Sequence, residues 1–230
     1  MELRPYQNEA VNAIFNQWNS GFKNTLLVLP TGTGKTVVFS KVVEEEVKDG
    51  SKALILAHRG ELLDQASDKL KLASGLDSAL EKAESTSIGS PLNVTVASVQ
   101  TLSQEKRLAR FPRDYFKTIV VDEAHHSMSE TYQRILQHFD AARVLGVTAT
   151  PDRADQKNLG QFFNSKAYEY SLHQAVKEGF LCPVRAQMIP LELDIHSVGM
   201  SNGDYAIGEI GGALEPYLNK IAIEMVNYCK

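Results

Sequence analysis

Residues Leu29–Thr36 read "LPTGTGKT", preceded by "TLLVL" (Thr25–Leu29) and continued by "KTVVFSKVVEEEVKDG" (Lys35–Gly50). The upstream run is short and apolar, as a buried strand is. Downstream, Val38, Val42, Val43 and Val47 recur at helical spacing until Gly50 stops the pattern. A glycine-bearing turn thus joins a strand to a helix, which is the setting a phosphate-binding loop requires. Gly32 and Gly34 let the backbone N–H groups converge on one point, and the helix N-terminus adds partial positive charge there. Lys35 can reach terminal phosphates, and Thr36 can put its hydroxyl on Mg²⁺. The pattern G-x-x-x-x-G-K-[ST] wants glycine first, and Leu29 stands there instead. The expectation is that Leu29 closes the strand while the later glycines make the turn. The bland alternative, a strand–helix turn with a solvated lysine, fits Gly-x-Gly-Lys-Thr after an apolar strand poorly.

Working outward, "ALILA" (Ala53–Ala57), "VTVAS" (Val94–Ser98), "TIVVDE" (Thr118–Glu123) and "RVLGVTAT" (Arg143–Thr150) read as further strands, most of them separated by helical patterns. Runs apolar on both faces and joined by helices imply a mainly parallel sheet with helices on both faces, an α/β fold. In such sheets ligands sit at the carboxyl ends of the strands. The composition agrees with a folded chain: 230 residues, 43% hydrophobic, 23% charged, net charge -4. That charge balance does not by itself announce nucleic-acid binding. No run is long enough to span a bilayer, and "MELRPYQNEA" lacks the build of a signal peptide. Two cysteines without metal-type spacing, Cys182 and Cys229, suit a reducing, cytoplasmic setting.

"VVDEAHH" supplies the other half of a nucleotide site. Its strand ends in Asp122 and Glu123, side by side at the same sheet edge as the loop. ATP hydrolysis needs a carboxylate for the metal and a group that positions or deprotonates the attacking water. Asp122 is assigned to Mg²⁺ and Glu123 to water. An acidic helix cap is the plain alternative, and the phosphate loop in the same sheet weighs against it. His125 and His126 lack a third ligand at useful spacing, so a metal site there is weak.

"LPTGTGKT", "VDEAHH" and "VTATP", in this order, resemble motifs I, II and III of superfamily 2 helicases with a DEAH box. "LRPYQNEAV" (Leu3–Val11) resembles their N-terminal Arg-x-x-Gln element, "LAHRGELLDQ" (Leu56–Gln65) motif Ia, and "VASVQTL" (Val96–Leu102) the motif Ib region. "LHQAVKEGFLCPV" (Leu172–Val184) resembles the segment that closes the first domain in the type III restriction subunit-like group. The resemblance implies an N-terminal RecA-like P-loop NTPase domain using ATP and Mg²⁺. It implies a nucleic-acid partner, DNA favoured over RNA. Residue by residue, it implies that Gln7 contacts adenine with Arg4 and Tyr6 nearby, and that Thr31, Gly32, Thr33, Gly34, Lys35 and Thr36 hold the phosphates. Lys35, Asp122 and Glu123 are the catalytic set. His125 would bond to Thr148 or Thr150, coupling the nucleotide site to the nucleic-acid surface, and Arg59, Ser98, Gln100 and Thr101 would touch the sugar–phosphate backbone. Thr148-Ala149-Thr150 replaces the usual Ser-Ala-Thr and keeps a hydroxyl at each end.

Lys106, Arg107, Arg110 and Arg113 form a basic cluster that reads first as a solvated helix face. Phe15 and Trp18 lie at helical spacing and read as core rather than a base-stacking platform. Residues 1–193 read as the first motor domain. Residues 194–230 read as a connector and the start of a second RecA-like domain that is missing from this chain, with a helical pattern in "EPYLNKIAIEMVNYCK". No Gln-x-x-Gly-Arg-x-x-Arg follows. The expected activity is that of an ATP-dependent nucleic-acid helicase or translocase, poorly active as an isolated piece. Two other classes stay open: a P-loop ATPase that moves no nucleic acid, and a nucleic-acid sensor without unwinding.

Overall fold

The computed structural model describes residues 2–57, 63–83, 85–125, 129–149, 159–160, 162–183, 200–201, 204–205 and 214–228. Arg59, His126 and Thr150 lie outside the described residues, as do residues 185–195. The chain divides into two compact units, Met1–Cys182 and Pro183–Lys230.

The first unit opens with helix α1 (Pro5–Asn19), β1 (Asn24–Val28), α2 (Lys35–Glu46), β2 (Ala53–Ala57) and α3 (Leu63–Ser74). It continues through β3 (Ser78–Glu81), β4 (Val94–Ser98) and the single turns α4 (Val99–Leu102) and α5 (Glu105–Leu108). It closes with β5 (Thr118–Asp122), α6 (Glu130–His138), β6 (Arg143–Thr148), β7 (Ser165–Glu169) and α7 (Leu172–Lys177). The strands form one seven-stranded sheet in the order β3-β4-β2-β5-β6-β1-β7. Every pairing in it is parallel.

Alternation along the strands explains why helices cover both faces. Leu27, Ile55, Val96, Val120 and Leu145 point into one core with Ile14, Phe39, Val42 and Leu70 of α1, α2 and α3. Their neighbours Leu26, Leu54, Leu56, Ile119 and Val144 point into another with Leu102, Leu108, Tyr132 and Ile135 of α4, α5 and α6. A strand buried on both faces is mostly apolar, with small hydroxyl residues such as Thr25, Thr95 and Thr118 tolerated, which is why these runs do not alternate in polarity. Trp18 is core, as expected, with Phe15 packed edge-on at 5.6 Å. The five strands read from the sequence, β1, β2, β4, β5 and β6, stand where the sequence places them, to within two residues at either end. β3 and β7 were not expected. Both are sheet edges, and their residues are mostly half-buried or exposed.

One strand position requires glycine. A Cβ on Gly146 of β6 would lie 2.4 Å from Phe163 Cζ and 3.0 Å from Ala124 Cβ. Ala124 follows Glu123, so this close approach seats the end of the acidic segment against β6.

The second unit contains an antiparallel pair, β8 (Met200–Ser201) with β9 (Asp204–Tyr205), a 3₁₀ turn Glu215–Tyr217 and helix α8 (Leu218–Tyr228). The helix agrees with the pattern expected in "EPYLNKIAIEMVNYCK". No helix among the described residues is long and apolar enough to cross a membrane.

Candidate nucleotide site at the carboxyl edge of the sheet

Parallel strands end at one edge, and that edge collects the sequence-predicted residues. β1 runs into the loop 29–34, β5 into Asp122–Glu123, β6 ends at Thr148 and β4 at Ser98. β6 lies between β1 and β5, so the loop and the acidic pair face each other across one intervening strand.

The loop is shaped by its later glycines. Gly32 and Gly34 have φ of 86° and 85°, a region open to glycine at little cost. Leu29 is fully buried and its N–H donates to Thr148 O at 3.1 Å. The unusual first residue therefore serves the core and the sheet edge, not the turn. Thr33 Oγ1 donates to Pro30 O at 2.6 Å and closes the loop on itself. Lys35 Nζ reaches back to Leu29 O at 3.5 Å. Gly34 caps α2, whose first turn carries Lys35 and Thr36.

Helix α1 holds the loop from below. Tyr6 Oη donates to Thr33 O at 2.7 Å and Gln7 Nε2 donates to the same carbonyl at 3.0 Å. Gln7 Oε1 accepts the Arg4 N–H at 2.9 Å. Gln7 is buried, and its amide retains one N–H and one lone pair. Tyr6 is stacked on Tyr170 at 4.4 Å and meets Phe180 edge-on at 4.9 Å. The Arg4 guanidinium lies 5.2 Å from the Phe180 ring centroid. Sequence reasoning named Arg4, Tyr6 and Gln7 but missed Tyr170, Phe180 and their role as the floor beneath the loop. The signal available was the aromatic pair flanking "SLHQAVKEG", which reads locally as an ordinary helix border.

Thr36, Asp122 and Glu123 line one cavity of about 120 Å³, completed by Phe39, Ala57, Gln65, Ala66 and Lys69. Asp122 Oδ1 accepts the Glu123 N–H at 3.0 Å. Burial pushes the Asp122 carboxyl above its usual range, and the neighbouring Glu123 charge adds to this. The Glu123 N–H and the Lys35 and Lys69 charges oppose it. Glu123 has φ of 53°, a conformation costly for a residue with a side chain. His125 Nδ1 lies 3.6 Å from Glu123 Oε2. The buried Tyr132 hydroxyl of α6 is pushed up by burial first and then by the Asp122 and Glu123 charges. Gln65, Lys69 and Tyr132 were not anticipated. Among the described residues, no three His, Cys, Asp or Glu side chains gather as a metal cage. The hydroxyl of Thr36 and the carboxylate of Asp122 are hard oxygen donors of the kind that could hold Mg²⁺.

The nucleic-acid candidates divide. Ser98 is buried and its hydroxyl donates to Gln100 Oε1 at 2.8 Å. Gln100 is exposed and Thr101 half-buried. In the basic cluster, Lys106, Arg110 and Arg113 are exposed. Arg107 departs from the expected solvated face. It is mostly buried and paired with the fully buried Glu81 of β3. The acidic partner lies on another element, out of sight of a local reading. Thr148 is buried at the end of β6.

The family described as "Type III restriction enzyme, res subunit" matches residues 1–153. The chain belongs to this family. The chain is also similar to the "Putative ATP-dependent helicase IRC3" of Saccharomyces cerevisiae (strain ATCC 204508 / S288c), 31% identical over 226 residues, 92% of this chain and 32% of the yeast protein. A fragment of a "putative HsdR subunit of a type I restriction enzyme" from Vibrio vulnificus YJ016 aligns with a TM-score of 0.58 and 27% identity, over 77% of this chain and 32% of that one. A nuclease-deletion mutant of the type ISP restriction-modification enzyme LlaGI, in complex with a DNA substrate mimic, aligns with a TM-score of 0.61 and 18% identity, over 78% of this chain and 21% of that one. The parallel sheet is thus the RecA-like motor fold of these proteins. The chain spans about a third or less of the curated relatives' length.

Proposed function

We propose that this chain is the ATP-binding half of a DEAH-type superfamily 2 motor that translocates on or unwinds nucleic acid, with DNA preferred. The observation that carries the reading is the shared cavity of Thr36, Asp122 and Glu123 beside the Lys35 loop. The names of the relatives, helicase and restriction subunits, support it.

In this reading the loop 31–36 wraps the phosphates, and Lys35 exchanges its contact with Leu29 O for them. Mg²⁺, held through Thr36 and Asp122, would neutralise phosphate charge. Glu123 accepts the proton of the attacking water, and His125, 3.6 Å away, orients its carboxylate. The remaining N–H and lone pair of Gln7 face adenine, with Arg4 beside it. His125 also passes the state of the site to Thr148 or Thr150. Arg59, Ser98, Gln100 and Thr101 hold the backbone of the nucleic acid, giving grip without sequence reading.

Residues 1–193 are the first motor domain in this reading, and 194–230 the connector and start of the second. An arginine from that second domain supplies on the order of 10³–10⁵ in rate. The setting is cytoplasmic, resting on the cysteine usage of the sequence.

The test is steady-state ATPase of these 230 residues and of the whole protein, each with saturating DNA or RNA. Stimulation of the whole protein by nucleic acid, with little turnover by the 230 residues, is expected. Turnover indifferent to any nucleic acid would favour a P-loop ATPase of another kind.

A further inference from the structure

The turn after β3 is built around a buried ion pair. Glu81, the last residue of β3, is fully buried. Its Oε1 takes the Arg107 Nε–H. Its Oε2 takes the Ser87 N–H at 2.6 Å and the hydroxyls of Ser87 and Thr86, each at 3.1 Å. Arg107, from α5, also donates through Nη2 to Ala83 O at 3.0 Å and to Ser85 O. One guanidinium thereby holds a carboxylate and two turn carbonyls. Such a fork is what arginine does and lysine cannot.

The pinned turn ends on a residue of the proposed backbone grip. Ala83 sits at φ 44°, which an alanine does not choose unaided. Held there, its N–H donates to Thr101 Oγ1 at 3.3 Å. A hydroxyl that accepts on one side turns its own hydrogen elsewhere. β3 and β4 are in parallel register with Glu81 opposite Ala97, so the turn and the segment 98–101 share one sheet edge. A buried ion pair adds little net stability over an apolar pair of similar size. Its advantage here is geometric.

We propose that the Glu81–Arg107 pair is a positioning device, which fixes Ala83 and Ser85 so that the Ala83 N–H aims the Thr101 hydroxyl at a nucleic-acid phosphate. Arg107 is not assigned to grip the phosphate itself, because Glu81 neutralises it, its Nε–H goes to Glu81 and its Nη2 donors go to the turn carbonyls. The inference rests on the proposed nucleic-acid function.

The experiment is a double-mutant cycle, read by fluorescence anisotropy of a labelled DNA oligonucleotide at one fixed salt concentration, with Mg-ATP affinity measured in parallel. Thr101→Val removes the hydroxyl and should weaken DNA binding about 3- to 10-fold, the worth of one hydrogen bond. Thr101→Ser should retain it. Arg107→Lys keeps a cation for Glu81 but loses the fork, and should weaken DNA binding to a similar extent. Combining Arg107→Lys with Thr101→Val should cost no more than Thr101→Val alone. Mg-ATP affinity should stay level throughout. As a second route, the pair Glu81→Met with Arg107→Met removes the pin without stranding a charge, and should behave like Arg107→Lys. If both Arg107 variants bind DNA as the parent does, or their losses multiply with that of Thr101→Val, the positioning role is wrong. If the parent binds no nucleic acid and its ATPase ignores it, the functional reading fails and takes this inference with it.

Discussion

Gly34→Ala is the substitution whose cost can be worked most directly. Gly34 holds φ at 85°, and an L-residue there costs about 1–2 kcal/mol. The new Cβ would lie 2.6 Å from Gln7 Nε2, closer than carbon and nitrogen approach. Gln7 is buried and its Nε2 is bonded to Thr33 O, so its retreat sacrifices a hydrogen bond worth about 0.5–1.5 kcal/mol. Together these reach about 2–3 kcal/mol, or about 30- to 140-fold in affinity if the whole cost falls on the phosphate-holding shape of the loop. The assay is titration of a fluorescent ATP analogue with Mg²⁺, with thermal unfolding followed in parallel to separate loop effects from loss of fold. Gln7→Ala already forfeits the bond to Thr33 O, so Gly34→Ala introduced into a Gln7→Ala background should add only the φ cost of about 1–2 kcal/mol, less than it costs in the parent. A Gly34→Ala protein that titrates like the parent, with the loop intact, would refute the reasoning.

Three further outcomes follow from the same geometry. Glu123→Gln should retain ATP binding while hydrolysis by the whole protein falls roughly a hundredfold or more, since the base is lost and the shape kept; near-normal turnover would remove Glu123 from its role. Gln7→Ala should weaken ATP more than GTP in paired titrations; equal losses would leave Gln7 only its bond to Thr33 O. Asp122→Asn should raise the melting temperature of the nucleotide-free protein at neutral pH while abolishing turnover. Burial raises the Asp122 pKa, so its cost to folding is full above that raised value, shrinks as pH falls through it and is gone only below the ordinary carboxylate value that it has in the unfolded chain. The gain from Asp122→Asn should therefore vanish as pH falls through the carboxylate range; a gain that persisted below it would mean that charge is not its source.

Where the sequence was legible, one residue type could serve only one purpose. The five central strands are largely apolar at successive positions because both faces are covered, and β1 through Thr36 carries its chemistry within a dozen residues or so. β3 and β7 were invisible because an edge strand meets solvent and mixes polar with apolar residues, as "SALE" and "SKAYE" do. Arg107 was misread because its partner lies 26 residues upstream, and the carboxylate that buries it is supplied by tertiary contact alone. Docking of Tyr6 and Gln7 onto Thr33 O was hidden for the same reason, with separations of 27 and 26 residues. Leu29 shows the converse. It departs from the loop pattern, and the expectation that it closes the strand agrees with its full burial in the core.

Gly34 and Glu123 are two left-handed residues at the same sheet edge, and they are not equivalent. Gly34 occupies that region at almost no cost, because it has no Cβ. Glu123 occupies it at a cost of order 1–3 kcal/mol, although glycine there would remove the strain. A carboxylate retained at such a position is explained if the side chain is needed there more than the backbone needs relief. The surroundings hold it in place. β5 is paired on one side to β2 and on the other to β6, the Glu123 N–H is taken by Asp122 Oδ1, and Ala124 is fully buried against Gly146. The turn is therefore fixed from the sheet below and from the residue on either side. The strained φ sends the chain away from the strand directly after Asp122, so that two consecutive carboxylates line one cavity instead of alternating across the sheet as strand residues do. Alternation would have sent one of them to the opposite face. Backbone strain at Glu123 is thus the means by which adjacent residues in the sequence serve the same site.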